Sequence, residues 1–540
     1  MSQTDFKTYT EHVESGKTLG NDDATGGIRE FAAVNQVNAH EKGLSYSQGI
    51  RRYKIALVYC FCVSLGAMLN GLDGSIQGQV ISIPTFRKAF GYQSNGQYIV
   101  PASWQSAWSG GQRAVTMIAA LFAGALADRI GRRNTLYIAC IVSIGSVFML
   151  VFAPPGSFAM ILVGRMVNGA ASALFNCIAA SYTSELSPLP IRGLTTGGLN
   201  IWIVGGQLTA AGVTYACGTR NDNWAWRIPL AVQWSVPALM LLTLPFIPES
   251  PWHLVRKGKM EEARKALVRL YWLSGDDVDQ HLARIDEVVL LEAHNKDNGT
   301  GTYLDLFRRT NLRRTIVVAV VFMCQEFAGV QFVLGFSTYF FQLAGFPVAQ
   351  SFKLNIGTLS LAFVGNLIGL SLINRVGRRR LFIVGMCTCA ADCLGLAICS
   401  MIPGQAALWG QASFTMIYML AFQSGIGPVA YALVGELGSA KLRAKTVGWG
   451  MAVHNTSVGT TQVILPYLVN PDQANLKGKV GWIFFGVAVV GAIWAYFFVP
   501  ETAHRNIDEL DELFARGIPA RKFHKTELGL DRSAAFETEI

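Results

Sequence analysis

Apolar residues along this chain gather into twelve runs, at roughly 54–78, 106–127, 134–153, 158–182, 194–217, 228–247, 315–342, 352–373, 381–402, 406–434, 446–468 and 481–499. Crossing a bilayer core takes about 20 mostly apolar residues at about 1.5 Å rise each, so every run predicts a membrane-spanning helix. Several contain Gly or Pro, which membrane helices tolerate where neighbours satisfy the freed backbone groups. The connectors are short and polar, except for residues 248–314 between runs six and seven. There Met260-Glu-Glu-Ala-Arg-Lys-Ala-Leu-Val-Arg-Leu-Tyr271 predicts a short amphipathic helix at the membrane surface. Residues 1–50 are polar and aperiodic, which predicts a disordered tail, and 500–540 are a second polar tail. The expected architecture is an all-α membrane protein of twelve transmembrane helices. Its two six-helix bundles span 51–247 and 315–499, with 248–314 as a linker containing short helices.

Composition agrees with that pattern. The chain is 51% hydrophobic and 15% charged, where soluble domains carry about 25% charged residues. Its net charge of +10 does not point to nucleic acid, because Lys and Arg sit in short clusters between apolar runs. Such clusters mark cytoplasmic loops. With twelve spans the basic loops and both tails fall on one side, so both termini are expected in the cytoplasm and the bilayer is the expected surroundings. A plasma-membrane location is expected. The polar first 50 residues show no cleavable signal peptide. The ten cysteines lie almost entirely within apolar runs and read as small buried hydrophobes. No nucleotide-binding loop, metal cluster or catalytic triad is visible, so neither a cofactor nor an enzyme activity is expected.

An internal repeat divides the chain. Asp128-Arg-Ile-Gly-Arg-Arg133 follows run two, and Asn374-Arg-Val-Gly-Arg-Arg-Arg380 follows run eight. After runs four and ten come Glu185…Arg192 and Glu436…Arg443, with equal spacing. Pro248-Glu-Ser-Pro251 and Pro500-Glu-Thr502 close the two halves. Three matched pairs in the same order indicate parallel repeats.

These residues resemble the sugar-porter family of the major facilitator superfamily, over about 54–514. Besides the loop and half-ending motifs, the resemblance rests on Gln325-Glu-Phe-Ala-Gly-Val-Gln331 and on Ile507-Asp-Glu-Leu510 after Pro500-Glu-Thr502. Within the family, Ser103-Trp-Gln105, Ala180-Ser-Tyr-Thr-Ser-Glu-Leu-Ser-Pro188, Pro229-Leu-Ala-Val-Gln-Trp234 and Leu442-Arg-Ala-Lys-Thr446 look most like fungal α-glucoside permeases of the maltose type. The resemblance implies a sugar transporter working by alternating access.

Candidate chemistry follows from ionisable and amide groups inside apolar runs. A carboxylate at a helix centre costs roughly 2.5–3.5 kcal/mol on insertion scales, so Asp73 needs a partner or a proton. Arg165 in run four is the natural partner, and both match the proton-coupling pair of related sugar–proton symporters. A static ion pair locking two helices is the alternative. Gln207, Gln325 and Gln331 match sugar-binding glutamines of the family. Asn366, Tyr431 and Asn455 are further candidates for substrate contact, and Tyr339, Phe340 and Trp449 offer flat faces. Glu326 departs from the family pattern by standing where a second glutamine is usual. The resemblance also implies a cytoplasmic gate built from Asp128, Arg129, Arg132, Glu185, Arg192, Glu249, Arg375, Arg378, Glu436, Arg443 and Glu501. Positive-inside topology alone explains the arginines but not the paired glutamates. Proton-coupled uptake of an α-glucoside, disaccharide or hexose is the leading expectation. A passive uniporter, an exporter of a small fungal metabolite and a sugar sensor are the alternatives. Asn298-Gly-Thr300 and Asn455-Thr-Ser457 match the glycosylation pattern, and neither is expected to be modified.

Overall fold

The computed structural model describes residues 46–540 apart from 95, 272–275, 298–302, 440–441, 504, 506 and 527–540. Most of the expected N-terminal tail, the Asn298 site and the last stretch of the C-terminal tail lie outside the described residues. The end of the first tail, Tyr46–Arg52, is a short helix.

Twelve long helical stretches follow the apolar runs. They are α1 (Lys54–Ile81), α2 (Ala102–Ile130), α3 (Arg132–Val151), α4 (Phe158–Leu186), α5 (Leu189–Cys217) and α6 (Trp224–Phe246). Then come α7 (Arg309–Gln325, Glu326–Val330 and Gln331–Ala344), α8 (Val348–Val376) and α9 (Arg378–Cys399). The last are α10 (Gln405–Ser424 and Ile426–Leu437), α11 (Arg443–Val469) and α12 (Val480–Phe498). Among the described residues nine are long and apolar enough to cross a membrane. The remaining three, α2, α5 and α11, have 29, 29 and 27 residues but carry more Gly, Ser, Thr and Gln.

The interruptions have local causes. In α6, 3₁₀ turns at Val232–Trp234 and Leu244–Phe246 accompany Pro229, Pro237 and Pro245, each of which lacks a backbone donor. In α7 a π-turn at Glu326–Val330 holds Gly329 at φ 107°, a conformation that costs glycine little. The same glycine admits α12, because an added Cβ would lie 2.8 Å from Phe484.

The sequence repeat is also a backbone repeat. Gly131 joins α2 to α3 at φ 95°, ψ 160°, and Gly377 joins α8 to α9 at φ 93°, ψ 155°. Gly377 has a second constraint. Glu501 accepts from the backbone N–H groups of Arg378 (2.8 Å) and Arg379 (3.2 Å), at the electropositive start of α9. An added Cβ at Gly377 would lie 2.6 Å from that carboxylate. Gly377→Ala is therefore expected to strain the backbone and eject Glu501 together, costing about 2–4 kcal/mol. A detergent thermal-shift measurement that finds no drop would refute this account.

The chain packs as two compact units. The smaller takes Met1–Cys60, Ser184–Thr195 and Pro248–Asp297. Its helix Met260–Tyr271 forms as predicted, but its apolar face does not need lipid. Ala263, Ala266, Leu267 and Leu270 are buried, and the helix packs against Pro251–Arg256 and Asp276–Asp297. Tyr271 meets Tyr53 edge-on at 5.3 Å, while Arg264 pairs with Asp279 at 2.7 Å on the solvated face. The larger unit takes Phe61–Thr183, Thr196–Ile247 and Asn298–Ile540. Between α1 and α2 it holds a helix, Pro84–Phe90, and a hairpin of β1 (Tyr92–Ser94) and β2 (Gln97–Ile99), paired antiparallel. The Tyr92 hydroxyl donates to Asp472 at 2.7 Å. The carboxylate beside it holds the phenol above its usual range.

The C-terminal segment is more ordered than its polarity predicts. Ile507–Ala515 is a helix whose Leu510, Leu513 and Phe514 are buried, and Phe523 packs on Phe514. Arg314 pairs with Asp511 and stacks over Phe514 at 4.4 Å. The i, i+3, i+4 spacing of those apolar residues is an amphipathic signal within an otherwise polar stretch.

Candidate functional site

The larger unit brings the buried polar groups together. Asp73 on α1 and Arg165 on α4 are each 3% exposed and pair at 2.9 Å. The pair is not isolated. Asn168, one turn after Arg165, donates to the same Asp73 oxygen at 2.8 Å, and Gln112 of α2 donates to the other oxygen. Arg165 also donates to Gln77 on α1, and Gln77 donates to Ser109 of α2 at 2.7 Å. Asn168 reaches Gln233 of α6 at 3.1 Å. An ionised carboxylate only accepts, and here three donors converge on it. Burying both charges is tolerable because each is paired and hydrogen-bonded.

A second polar chain starts one residue from Gln112. Arg113 Nε donates to Gln462 of α11 at 3.1 Å, and Gln462 donates to Gln331 of α7 at 3.0 Å. Gln331 donates to Glu326 at 2.8 Å, across the π-turn. Glu326, 3% exposed, meets His454 Nε2 of α11 at 3.1 Å. The same ring nitrogen lies 3.4 Å from the Tyr431 hydroxyl.

The other candidates are placed less uniformly. Gln207 and Gln325 are buried, each with its side-chain carbonyl oxygen unpaired. Asn366 is buried on α8 with neither amide atom paired. Buried polar atoms are normally bonded, so these groups suit a polar ligand or water. Tyr431 is 45% exposed and packs edge-on against Phe322. Asn455 donates to Met451 O of its own helix, and its neighbour His454 takes the place beside Glu326. Tyr339 and Phe340 are fully buried core residues. Trp449 packs on Phe307.

The gate candidates fall in both units. In the larger one Arg378 pairs with Glu436 at 2.9 Å, Thr502 donates to Glu436 at 2.5 Å, and Glu501 holds the α9 start. Asp128 and Arg132 pair at 3.0 Å across one helical turn. Arg129 and Arg375 are exposed, with no ion-pair partner among the described residues. In the smaller unit Ser250 donates to Glu185, and Glu249 accepts from the Ser250 backbone N–H at 2.9 Å. Glu185 with Ser250 thus reproduces Glu436 with Thr502 at the matched place in the repeat. The side chains of Arg192 and Arg443 lie outside the described residues. Glu436→Gln is expected to weaken this cluster, since Arg378 would lose its counter-charge. The pair is half-buried at a helix end and is worth about 1 kcal/mol, so the melting point in detergent should change little while the transport rate changes more. A large fall in the melting point with an unchanged rate would contradict a gating role.

Comparison with known proteins identifies the family and the fold. Residues 59–514 fit the family model for sugar (and other) transporters. The chain belongs to that family. The general alpha-glucoside permease of Saccharomyces cerevisiae is 29% identical over 533 residues, covering 96% of this chain and 85% of the permease. Maltose permease MAL31 of the same yeast is 30% identical over 506 residues, covering 92% and 81%. Among solved structures, the inward-open xylose transporter XylE from E. coli aligns with a TM-score of 0.68 at 21% identity, covering 85% of this chain and 99% of that one. The fold is the twelve-helix, all-α major facilitator fold, and the protein is a multi-pass membrane transporter and not an enzyme.

Within this transporter, sequence reasoning found Asp73 with Arg165 and missed most of what surrounds them. Arg113 and His454 carried a usable signal, as an ionisable group inside an apolar run. Gln77, Gln112, Asn168, Gln233 and Gln462 carried almost none. Which of several intramembrane amides face one another depends on helix rotation and crossing, which periodicity does not specify.

Proposed function

We propose that this transporter takes up an α-glucoside or related sugar together with a proton, across the plasma membrane and with both termini in the cytoplasm. The observation that carries the reading is the buried Asp73–Arg165 pair on α1 and α4. Protonating Asp73 removes the charge that holds Arg165 and changes the balance between two conformations of the transporter. The substrate class follows the yeast relatives, whose names are α-glucoside and maltose permeases. Gln207, Gln325, Gln331, Asn366, Tyr431 and Asn455 are the proposed substrate contacts. The unpaired carbonyl oxygens of Gln207 and Gln325 and both unpaired amide atoms of Asn366 support this, since sugar hydroxyls both donate and accept. The halves 51–247 and 315–499 are proposed to rock about this site, with the Arg, Glu and Asp clusters at the matched helix ends as the cytoplasmic gate.

The test is uptake of labelled maltose, other α-glucosides and hexoses by cells lacking their own sugar permeases, with external pH recorded. The expected result is uptake accompanied by external alkalinisation and abolished by an uncoupler as accumulation. Uptake at full strength in an uncoupler would leave a passive uniporter. Failure of every mono- and disaccharide to enter would overturn the sugar reading.

A further inference from the structure

Arg113 stands in the interior of α2, where a charged side chain is costly unless something pairs with it. Its stem lies against α11, because a Cβ added at Gly459 would meet the Arg113 Cβ at 3.5 Å. Its Nε donates to Gln462 at 3.1 Å, Gln462 donates to Gln331, and Gln331 to Glu326. The guanidinium is thereby fixed through the one nitrogen that is not at its tip. Neither Nη nitrogen makes a hydrogen bond among the described residues, and both stay open to the space between the helices. No carboxylate pairs with Arg113 among the described residues either. Two are close enough to act on its charge, Asp73 and Glu326, and each is already engaged. Asp73 has Arg165, Asn168 and Gln112, and Glu326 has His454 and Gln331. Tyr431, the third group within reach, offers a hydroxyl.

We propose that Arg113 is a substrate contact, and that the transporter takes an α-glucoside or related sugar bearing one carboxylate, an aldonic or uronic acid. The carboxylate lies end-on to the guanidinium, its two oxygens accepting from Nη1 and Nη2, the planar two-point match that favours arginine over lysine. Nε is spent on Gln462, which leaves the end-on arrangement in place of the side-on one. One carboxylate also balances one cation. A phosphate, with close to two negative charges, would leave one uncompensated near Asp73 and Glu326, and burying an unpaired charge is costly. A neutral sugar can use the same donors but leaves the guanidinium without a counter-ion. Gln331, two links along the chain, and the unpaired amides of Gln207, Gln325 and Asn366 remain for the sugar's hydroxyls. The inference rests on the reading of this protein as a sugar importer with contacts at those amides, and adds to it the charge of the substrate.

The test is binding of labelled maltobionate and labelled maltitol to the purified full chain in detergent, at about pH 6, where a sugar carboxylate is ionised. The two probes differ only in carrying a carboxylate or a hydroxymethyl group at one carbon. Maltobionate is expected to bind at least about tenfold more tightly, the scale of a charge-assisted hydrogen bond. Arg113→Gln, which removes the charge, should weaken maltobionate by about tenfold to a hundredfold and maltitol by less than about threefold. Equal affinity for the two probes in the parent chain overturns the proposal, and so does a preference that survives Arg113→Gln at full size. If Arg113→Gln does not fold, Arg113→Lys takes its place. A point charge without the fork should cut the preference severalfold, and an undiminished preference is equally fatal. Unlabelled maltose as competitor separates this inference from the reading beneath it. Competition by maltose with no preference for maltobionate leaves the neutral α-glucoside reading standing and removes the carboxylate. Tight maltobionate binding that maltose does not displace removes the neutral α-glucoside and keeps the carboxylate, and no binding of any of the three removes both.

Discussion

Asp73→Asn is expected to exchange sugar without concentrating it. Energetically the wild-type transporter, moving one proton per sugar, has about 2.3 kcal/mol per 100 mV and about 1.4 kcal/mol per pH unit to draw on. At 100 mV and one pH unit the sum of about 3.7 kcal/mol supports accumulation of about 500-fold. With Asn at this position the ratio should fall to about one, because nothing then binds the driving proton. The site should nevertheless assemble. The Asn carbonyl oxygen can accept from Arg165 and Asn168, which now share one Asp73 oxygen. Its NH2 would face the Gln112 amide, which can turn its own carbonyl inward. Arg165 keeps Gln77 as an acceptor but loses its counter-charge, so stability should drop by about 3 kcal/mol. Two measurements separate the effects. Accumulation of labelled sugar under a proton gradient should vanish, while counterflow with equal pH on both sides should persist. Normal accumulation in Asp73→Asn would place the coupling proton elsewhere in the protein.

How much of this was legible beforehand depends on the kind of order involved. The twelve spans were readable because lipid imposes one rule along the whole chain, and a run such as 381–402 states it plainly. The G-R-R loops were readable because Gly131 and Gly377 must adopt the same positive φ. The Asp73–Arg165 pair was readable because an intramembrane charge demands a partner. The π-turn at Glu326–Val330 was not, since Gly329 alone does not say whether a helix bends, tightens or widens. Nor was the fate of Asn455. It sits one position from His454, about 100° around the helix, and bonds its own backbone. The packed segment after Pro500 was missed for a different reason. Its Leu510, Leu513 and Phe514 are few among many charges, and average polarity hid their spacing.

Gly78→Leu should abolish net transport while leaving the protein in the membrane. An added Cβ at Gly78 would lie 1.3 Å from the Gly335 carbonyl oxygen, backbone against backbone, where contacts under 3.0 Å are essentially never seen. No rotamer change relieves such an overlap, so α1 and α7 must separate. Overpacking of this kind costs about 1–3 kcal/mol or more, which is about fivefold to about 150-fold in the population of the closed conformation. A transporter that cannot close here cannot expose its site to the other side. Gly71 provides the contrast. Its Cβ would lie 1.8 Å from Ile203 O of α5, and a Cβ added at Gly206 of α5 would in turn lie 2.2 Å from Met68 O of α1. These two glycines pack α1 and α5, members of the same sequence half, which alternating access keeps together. Gly71→Leu should therefore lower the yield of folded protein, whereas Gly78→Leu should be recovered at near-normal yield with its binding site trapped open at the α1–α7 end. Labelled-sugar uptake, paired with detergent-extracted yield for both variants, distinguishes the two. Wild-type uptake by Gly78→Leu would mean that α1 and α7 need not touch during the cycle, and would remove closure at this seam from the mechanism.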